Sequence, residues 1–214
     1  MTYRDDAAAK QTVLSVLSDP AVNDIDFWIA TWHIDPPLYR SVAHAIRGGE
    51  ISVIHDPQLR AAGRGGAYAG KQNLLGMASD TIEGTDHQRL MTRSLIIHEC
   101  THAGFDYRRH KLMTHLEGEA AGYVAGFIYM LSYCERVLAK AEGYRVGHAD
   151  PAMNKILTTA LEIAKNVFYK RKVSTRRYNH LLIELENGLR DSSLYGHLIN
   201  KVVLNDGVGS INTG

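Results

Sequence analysis

Cysteine is nearly absent: Cys100 and Cys134 are the two in the chain, too few for a disulfide framework, and a reducing compartment is the simpler reading. Long apolar runs are missing as well. The nearest, 120–133, is interrupted by Gly122, Gly126 and Ser132 and falls short of a membrane span, so no membrane association is expected. The N-terminus is charged at positions 4 to 6 and lacks a continuous apolar stretch, so no secretory signal peptide is expected. The expected location is the cytoplasm, or outside it by a route that needs no classical signal. Charge of one sign is lacking too, because 24 Lys plus Arg oppose 23 Asp plus Glu and leave +1. No overall field draws nucleic acid or acidic lipid, and the densest basic run, Lys170-Arg171-Lys172 with Arg176-Arg177, reads as a solvated helix end or loop. No nucleic-acid partner is expected.

What remains is the composition of a soluble globular protein, 45% hydrophobic and 22% charged over 214 residues, long enough to bury a core without a metal or disulfide staple. No internal repeat or long low-complexity linker divides it. Residues 1–205 read as a single domain and 206–214 as a flexible tail.

Helical spacing of Ala, Val and Leu over 5–18 predicts a first helix. Asp35-Pro36-Pro37 predicts the start of a second, running to about Arg47 and stopped by Gly48-Gly49. Ile51 to His55 is short and β-branched and reads as a strand, then "RAAGRGGAYAGKQ" as a flexible glycine-rich stretch, then 73–79 as a second strand. Helices are expected over 88–104, over 114–141 with Gly143 ending it, and over about 150–171, 175–187 and 191–204, with Gly188 between the last two. The fold class is α+β, mostly helical, with a small sheet placed before the motif helix, both within about 50–105, and a C-terminal helical part.

The chemistry concentrates in "SLIIHECTHAGFD", 94–106, which contains His-Glu-x-x-His. On a helix His98 and His102 project from one face about a turn apart and can chelate one ion, while Glu99 lies about 100° around, near enough to serve a bound water without being a ligand. Zinc held this way lowers the pKa of its water to roughly 7, and the carboxylate takes the proton as the water attacks a carbonyl. Leu95, Ile96 and Ile97 before the motif, uncharged Cys100 and Thr101 within it, and Ala103 and Gly104 after it mark a buried helix rather than a surface coincidence. Two histidines and a glutamate buried together without a metal would be costly.

A third protein ligand is needed. The metzincin pattern would place Gly and His at positions occupied by Phe105 and Arg108, so it fails. The following apolar helix, "HLEGEAAGYVAGF", supplies Glu117 and Glu119, and a charge in such a helix needs a partner. On these motifs, which cover about 94–125, the chain resembles the gluzincin metallopeptidases, the thermolysin-like class with His-Glu-x-x-His and a downstream Glu. The resemblance implies a zincin-like minimal metallopeptidase domain binding one zinc ion through His98, His102 and either Glu117 or Glu119, with Glu99 as catalytic base. Glu117 with Ala120 fits the family's Glu-x-x-Ala pattern, although Ala121 stands where an Asp is expected. Glu119 shares its region with Gly122 and Gly126, glycines that suit close approach of the motif helix, so Glu119 is preferred and Glu117 kept beside it.

Asp106 is read as a partner that orients an imidazole or as a helix end, His110 and His115 as loop histidines, Cys100 as core, and Trp28 and Trp32 as core. Tyr123, Tyr178, His180, Tyr195 and His197 are candidates to steady an oxyanion. Asn73 to Ala78 is the expected exposed edge strand that pairs with an extended substrate. The function expected is zinc-dependent hydrolysis of a peptide or amide bond in a peptide or protein substrate. The alternatives are an effector- or toxin-like metalloenzyme with one target, or a non-catalytic protein whose metal only joins two helices.

Overall fold

The computed structural model describes residues 5–62, 64–110, 113–138, 145–146, 148–170 and 175–195. Helix α1, Ala7–Leu17, starts where the Asp6 carboxylate accepts the N–H groups of Ala8 and Ala9. Strands β1, Phe27–Ile29, and β2, Trp32–Ile34, form a hairpin turned at Ala30, whose φ is 50°. Helix α2, Pro36–Gly48, has Asp35 as N-cap and Gly49 as a left-handed C-cap at φ 77°.

The sheet follows: β3, Ser52–His55, helix α3, Pro57–Ala61, β4, Gly66–Ala69, and β5, Leu74–Met77. Its order is β3-β5-β4, with β3 parallel and β4 antiparallel to β5. This corrects two expectations. The stretch Asn73 to Ala78 is the centre of the sheet and not its edge, because the glycine-rich segment ahead of it is itself a strand that folds back alongside. The edge beside the motif helix is β4.

Helix α4, Asp86–Tyr107, carries the motif and opens with a Thr85–Gln88 capping box. Helix α5, His115–Tyr133, opens with Thr114–Glu117 and runs into a π-helical turn at Cys134–Leu138. It is buried around almost its whole circumference, packed between α4 on one side and α6, Pro151–Phe168, and α7, Thr175–Asp191, on the other. Gly188 does not separate two helices. It lies inside α7, where a Cβ would stand 3.1 Å from Ile156 Cγ1, so its small size serves helix contact. No helix starts at 191 as expected: α7 ends at Asp191 and 192–195 form a turn, while 196–214, Gly143, and Arg171 and Lys172 of the basic run lie outside the described residues.

One apolar cluster runs from Ala9 on α1 to Leu189 on α7. Trp28 is not in it: at 55% exposed it stacks on the His33 ring at the hairpin surface, whereas Trp32 packs partly buried against the cluster. Alternation along a strand explains the difference, since β1 buries Phe27 and Ile29 and turns Trp28 outward. The chain is thus α+β and mostly helical, and no helix among the described residues is long and apolar enough to cross a membrane.

Candidate metal centre

Two helices build the site. His98 and His102 extend from one face of α4 with their Nε2 atoms 3.2 Å apart. From α5, Glu119 brings Oε2 to 3.3 Å from His98 Nε2 and Oε1 to 3.5 Å from His102 Nε2. Donors held about 2.0–2.1 Å from a tetrahedral ion stand roughly 3.3–3.4 Å from one another. One donor atom from each of the three side chains lies within 4.8 Å of the others, so together they can hold a metal ion.

The helices come this close because α5 has glycine where α4 presents His102, His98 and Ser94. Gly122 lies against the His98 ring, Gly118 against His102 and Gly126 against Ser94, each four residues from the next on both helices. Bulk at these points would hold α4 away from Glu119.

Glu117 is not in the cluster. Its carboxylate accepts the Thr114 N–H at 2.7 Å and the Thr114 hydroxyl at 3.0 Å, closing the capping box of α5. A sequence signal for this exists, since Thr114 and Glu117 have the Ser/Thr-x-x-Glu spacing of a helix start.

Glu99 is buried and points to the sheet side, where Oε2 accepts the Tyr68 N–H at 3.0 Å. The Ala78 N–H is bonded to Gly65 O, so by alternation the main-chain groups of Gly66 and Tyr68 face away from β5, toward α4. Gly66 lets that edge approach, since a Cβ there would lie 3.1 Å from Glu99 Cγ. This strand and its Tyr68 escaped the sequence reading, because "GAYAGK" has the composition of a turn.

The remaining candidates separate by position. Tyr123, on α5, sets its ring edge-on against His98 with centroids 4.7 Å apart, and its hydroxyl lies 2.8 Å from that of Tyr195. Tyr178 donates to Trp28 O, and His180 faces Glu184 at the exposed side of α7. His197 is outside the described residues. His110 packs on Trp32 and Phe105, whereas His115 brings Nδ1 to 3.7 Å from Glu119 Oε1 without joining the three donors. Asp106 accepts the Tyr68 hydroxyl at 2.8 Å. Cys100 is fully buried in the core, and burial pushes its thiol up.

Electrostatics assigns the protons. Burial disfavours a charged His98, but its hydrogen bond to Glu119 and the charges of Glu119 and Glu99 outweigh this and raise its pKa. Burial takes His102 down to about 4, with His98 and His115 adding to the effect and Glu119 opposing it. Glu119, which burial alone would raise, is held at about 2 by His102, His98 and His115. Burial, joined by the charge of Glu119, lifts Glu99 above the usual carboxylate range against the pull of His98 and the Tyr68 N–H.

Metal and proton compete for the same lone pairs. Below its raised pKa His98 is protonated, whereas His102 is neutral above about 4 and Glu119 ionised above about 2. Calorimetric titration with metal at pH 6, in buffers of different ionisation enthalpy, should show release of about one proton per ion, with affinity rising about ten-fold per pH unit toward the His98 value. Release of none at pH 6 would mean that His98 is already neutral.

No protein-family model matches the chain, and neither a curated protein nor a solved structure does.

Proposed function

We propose that the chain is a zinc-dependent metallopeptidase on the gluzincin plan, hydrolysing a peptide or related amide bond. The observation that carries this reading is the division of roles around one point. His98, His102 and Glu119 converge, while Glu99, next to His98 in sequence, turns aside and rests on the edge strand. A structural site closes its fourth position with protein and has no use for a second buried carboxylate. Among the described residues the donors in mutual reach are those three, and two imidazoles with a carboxylate are a donor set of catalytic zinc.

Zinc, when bound, would supply a Lewis acid and bring the pKa of water to roughly 7. The protein's own groups do the rest. Glu99, its carboxylate raised by burial, would accept the proton of the attacking water and return it to the leaving amine. An extended peptide would lie beside β4, the strand next to the motif helix, rather than along Asn73 to Ala78, which is the centre of the sheet. Tyr123, pushed up to about 12 by burial, and Tyr195, pushed up further by burial and by Glu119, both keep their protons, and the one not spent on their mutual contact can be donated to an oxygen that gains charge.

Metal analysis of the purified protein tests the first half. One zinc per chain is expected in the wild type and none in His98→Ala, and a wild type without stoichiometric metal would sink the proposal. Assays on a mixed peptide library test the second, with Glu99→Gln expected to keep the metal and lose about 10²–10⁴-fold in rate. An unchanged rate there would leave the site without this mechanism.

A further inference from the structure

We infer that Asp106 is a positioning residue for Glu99, acting through Tyr68. The inference rests on the proposed role of Glu99 and adds to it how the carboxylate is kept in place. Glu99 and Asp106 are seven residues apart on α4, so they share a face two turns, roughly 10 Å, from one another. Tyr68 spans that interval with its two ends. Its main-chain N–H donates to Glu99 Oε2 at 3.0 Å and its phenol donates to Asp106 Oδ2 at 2.8 Å.

Asn73 Oδ1 lies 3.4 Å from the same hydroxyl, but a phenol has one proton, and the shorter contact, to Asp106, takes it. Asp106 is 1% exposed, and a carboxylate so deep is retained where hydrogen bonds satisfy it. The turn after β4 closes on the same group, with a Cβ at Gly70 standing 3.5 Å from Asp106 Oδ2. Asp106 thus ties the far end of the edge strand to the motif helix. The near end can then offer one N–H to one oxygen of Glu99.

The consequence is orientation. With Oε2 occupied by Tyr68, Oε1 is the oxygen that remains to take a proton, and the carboxylate cannot swing about its last torsion without losing its donor. Releasing the Tyr68 phenol frees β4 to drift along the helix, and displacements of about 1 Å at a reacting group cost on the order of a hundred-fold in rate. The three metal donors are not touched, so metal content should not follow.

The test uses the full-length zinc-loaded protein with Tyr68→Phe, Asp106→Ala, Asp106→Asn and the Tyr68→Phe/Asp106→Ala pair. For kinetics, the probe is a fluorogenic peptide chosen from those the wild type cleaves. We expect one zinc per chain throughout, kcat lowered about 10–100-fold in Tyr68→Phe and Asp106→Ala with KM within about three-fold, and the pair no worse than Tyr68→Phe alone. Asp106→Asn keeps an acceptor and should recover most of the rate. Amide hydrogen exchange supplies a readout independent of turnover. Exchange at residue 68 should quicken at least about ten-fold in Tyr68→Phe, and in Glu99→Gln less so, while Leu75 on β5 keeps its protection.

Unchanged exchange at residue 68 in Tyr68→Phe overturns the inference, as does full additivity of the two losses. If the wild type cleaves no peptide, the hydrolytic reading fails by itself and the exchange arm still decides whether Asp106 and Tyr68 hold the strand against Glu99. If Asp106→Ala does not fold, Tyr68→Phe removes a single hydroxyl and carries the decision.

Discussion

Replacing Gly122 by alanine is expected to abolish tight metal binding while leaving the protein folded. A Cβ at this position would stand 2.7 Å from His98 Nδ1 and 2.8 Å from two ring carbons. Real Cβ contacts do not occur at such distances, and the obstacle is an imidazole held between two buried helices rather than the loose end of a long chain. Either α4 and α5 part or the His98 ring turns, and both take Nε2 out of reach of Glu119 and His102. Overpacking of this kind costs about 1–3 kcal/mol. Alanine returns about 1 kcal/mol of helix propensity, so the net loss of stability is about 0–2 kcal/mol. Metal affinity should fall by more than the roughly 10–100-fold that follows loss of an outer partner, because a ligand itself is displaced.

The neighbouring glycines grade the effect. At Gly118 the nearest atom, His102 Nδ1, is an ordinary 3.5 Å away, so Gly118→Ala should keep the metal and gain up to about 1 kcal/mol. At Gly126 the Cβ would meet Ser94 Oγ at 2.6 Å and Ser94 O at 3.0 Å. That variant should lose about 0–2 kcal/mol net on the same balance, with metal affinity reduced less than in Gly122→Ala, since Ser94 is outside the donor cluster. Thermal melting beside equilibrium dialysis reads all three. Wild-type affinity in Gly122→Ala would show that α5 does not set the His98 ring.

This series also shows what was readable beforehand. His98 and His102 follow from a period of four on a helix without charges around the motif, a local property. Glu119 follows from Gly122 and Gly126, since glycine inside a buried helix signals a close neighbour. Helix α2 is announced at both ends, by Asp35-Pro36-Pro37 and by Gly49. The competing claim of Glu117 could have been set aside from Thr114, because the capping spacing already gives that carboxylate its donors. Strand order was not accessible in the same way. Whether 74–77 is central or marginal depends on where 66–69 lies, a pairing between segments, and 66–69 has the small residues of a turn. The β1–β2 hairpin hid for a related reason, since its left-handed position is Ala30 and not the Gly or Asn that announces such turns. The meeting of Tyr195 with Tyr123 depends on packing between α5 and the end of α7, and nothing in either segment alone records it.

That meeting carries the second large effect. On the proposed hydrolytic reading, Tyr195→Phe is expected to lower kcat for peptide hydrolysis about 10²–10³-fold, the range seen when one donor to a developing oxyanion is removed, with KM and metal content little changed. The argument runs through protons. Two phenols 2.8 Å apart hold two protons, and the contact between them consumes one. The other remains for an oxygen that gains charge. Neither phenol ionises near neutral pH, because burial and the charges of Glu119 and Glu99 all oppose it. The ring of Tyr123 is committed to packing on His98, and its place on α5 is as rigid as that of Glu119. Its hydroxyl is therefore suited to orient Tyr195, which leaves the Tyr195 proton as the one donated. Tyr123→Phe should then cost less than Tyr195→Phe, about ten-fold, and the double variant should be no slower than Tyr195→Phe, as for groups that act as one unit. A larger loss in Tyr123→Phe would exchange the two roles. Full activity in Tyr195→Phe would remove the pair from the reaction and leave the oxyanion to the metal alone.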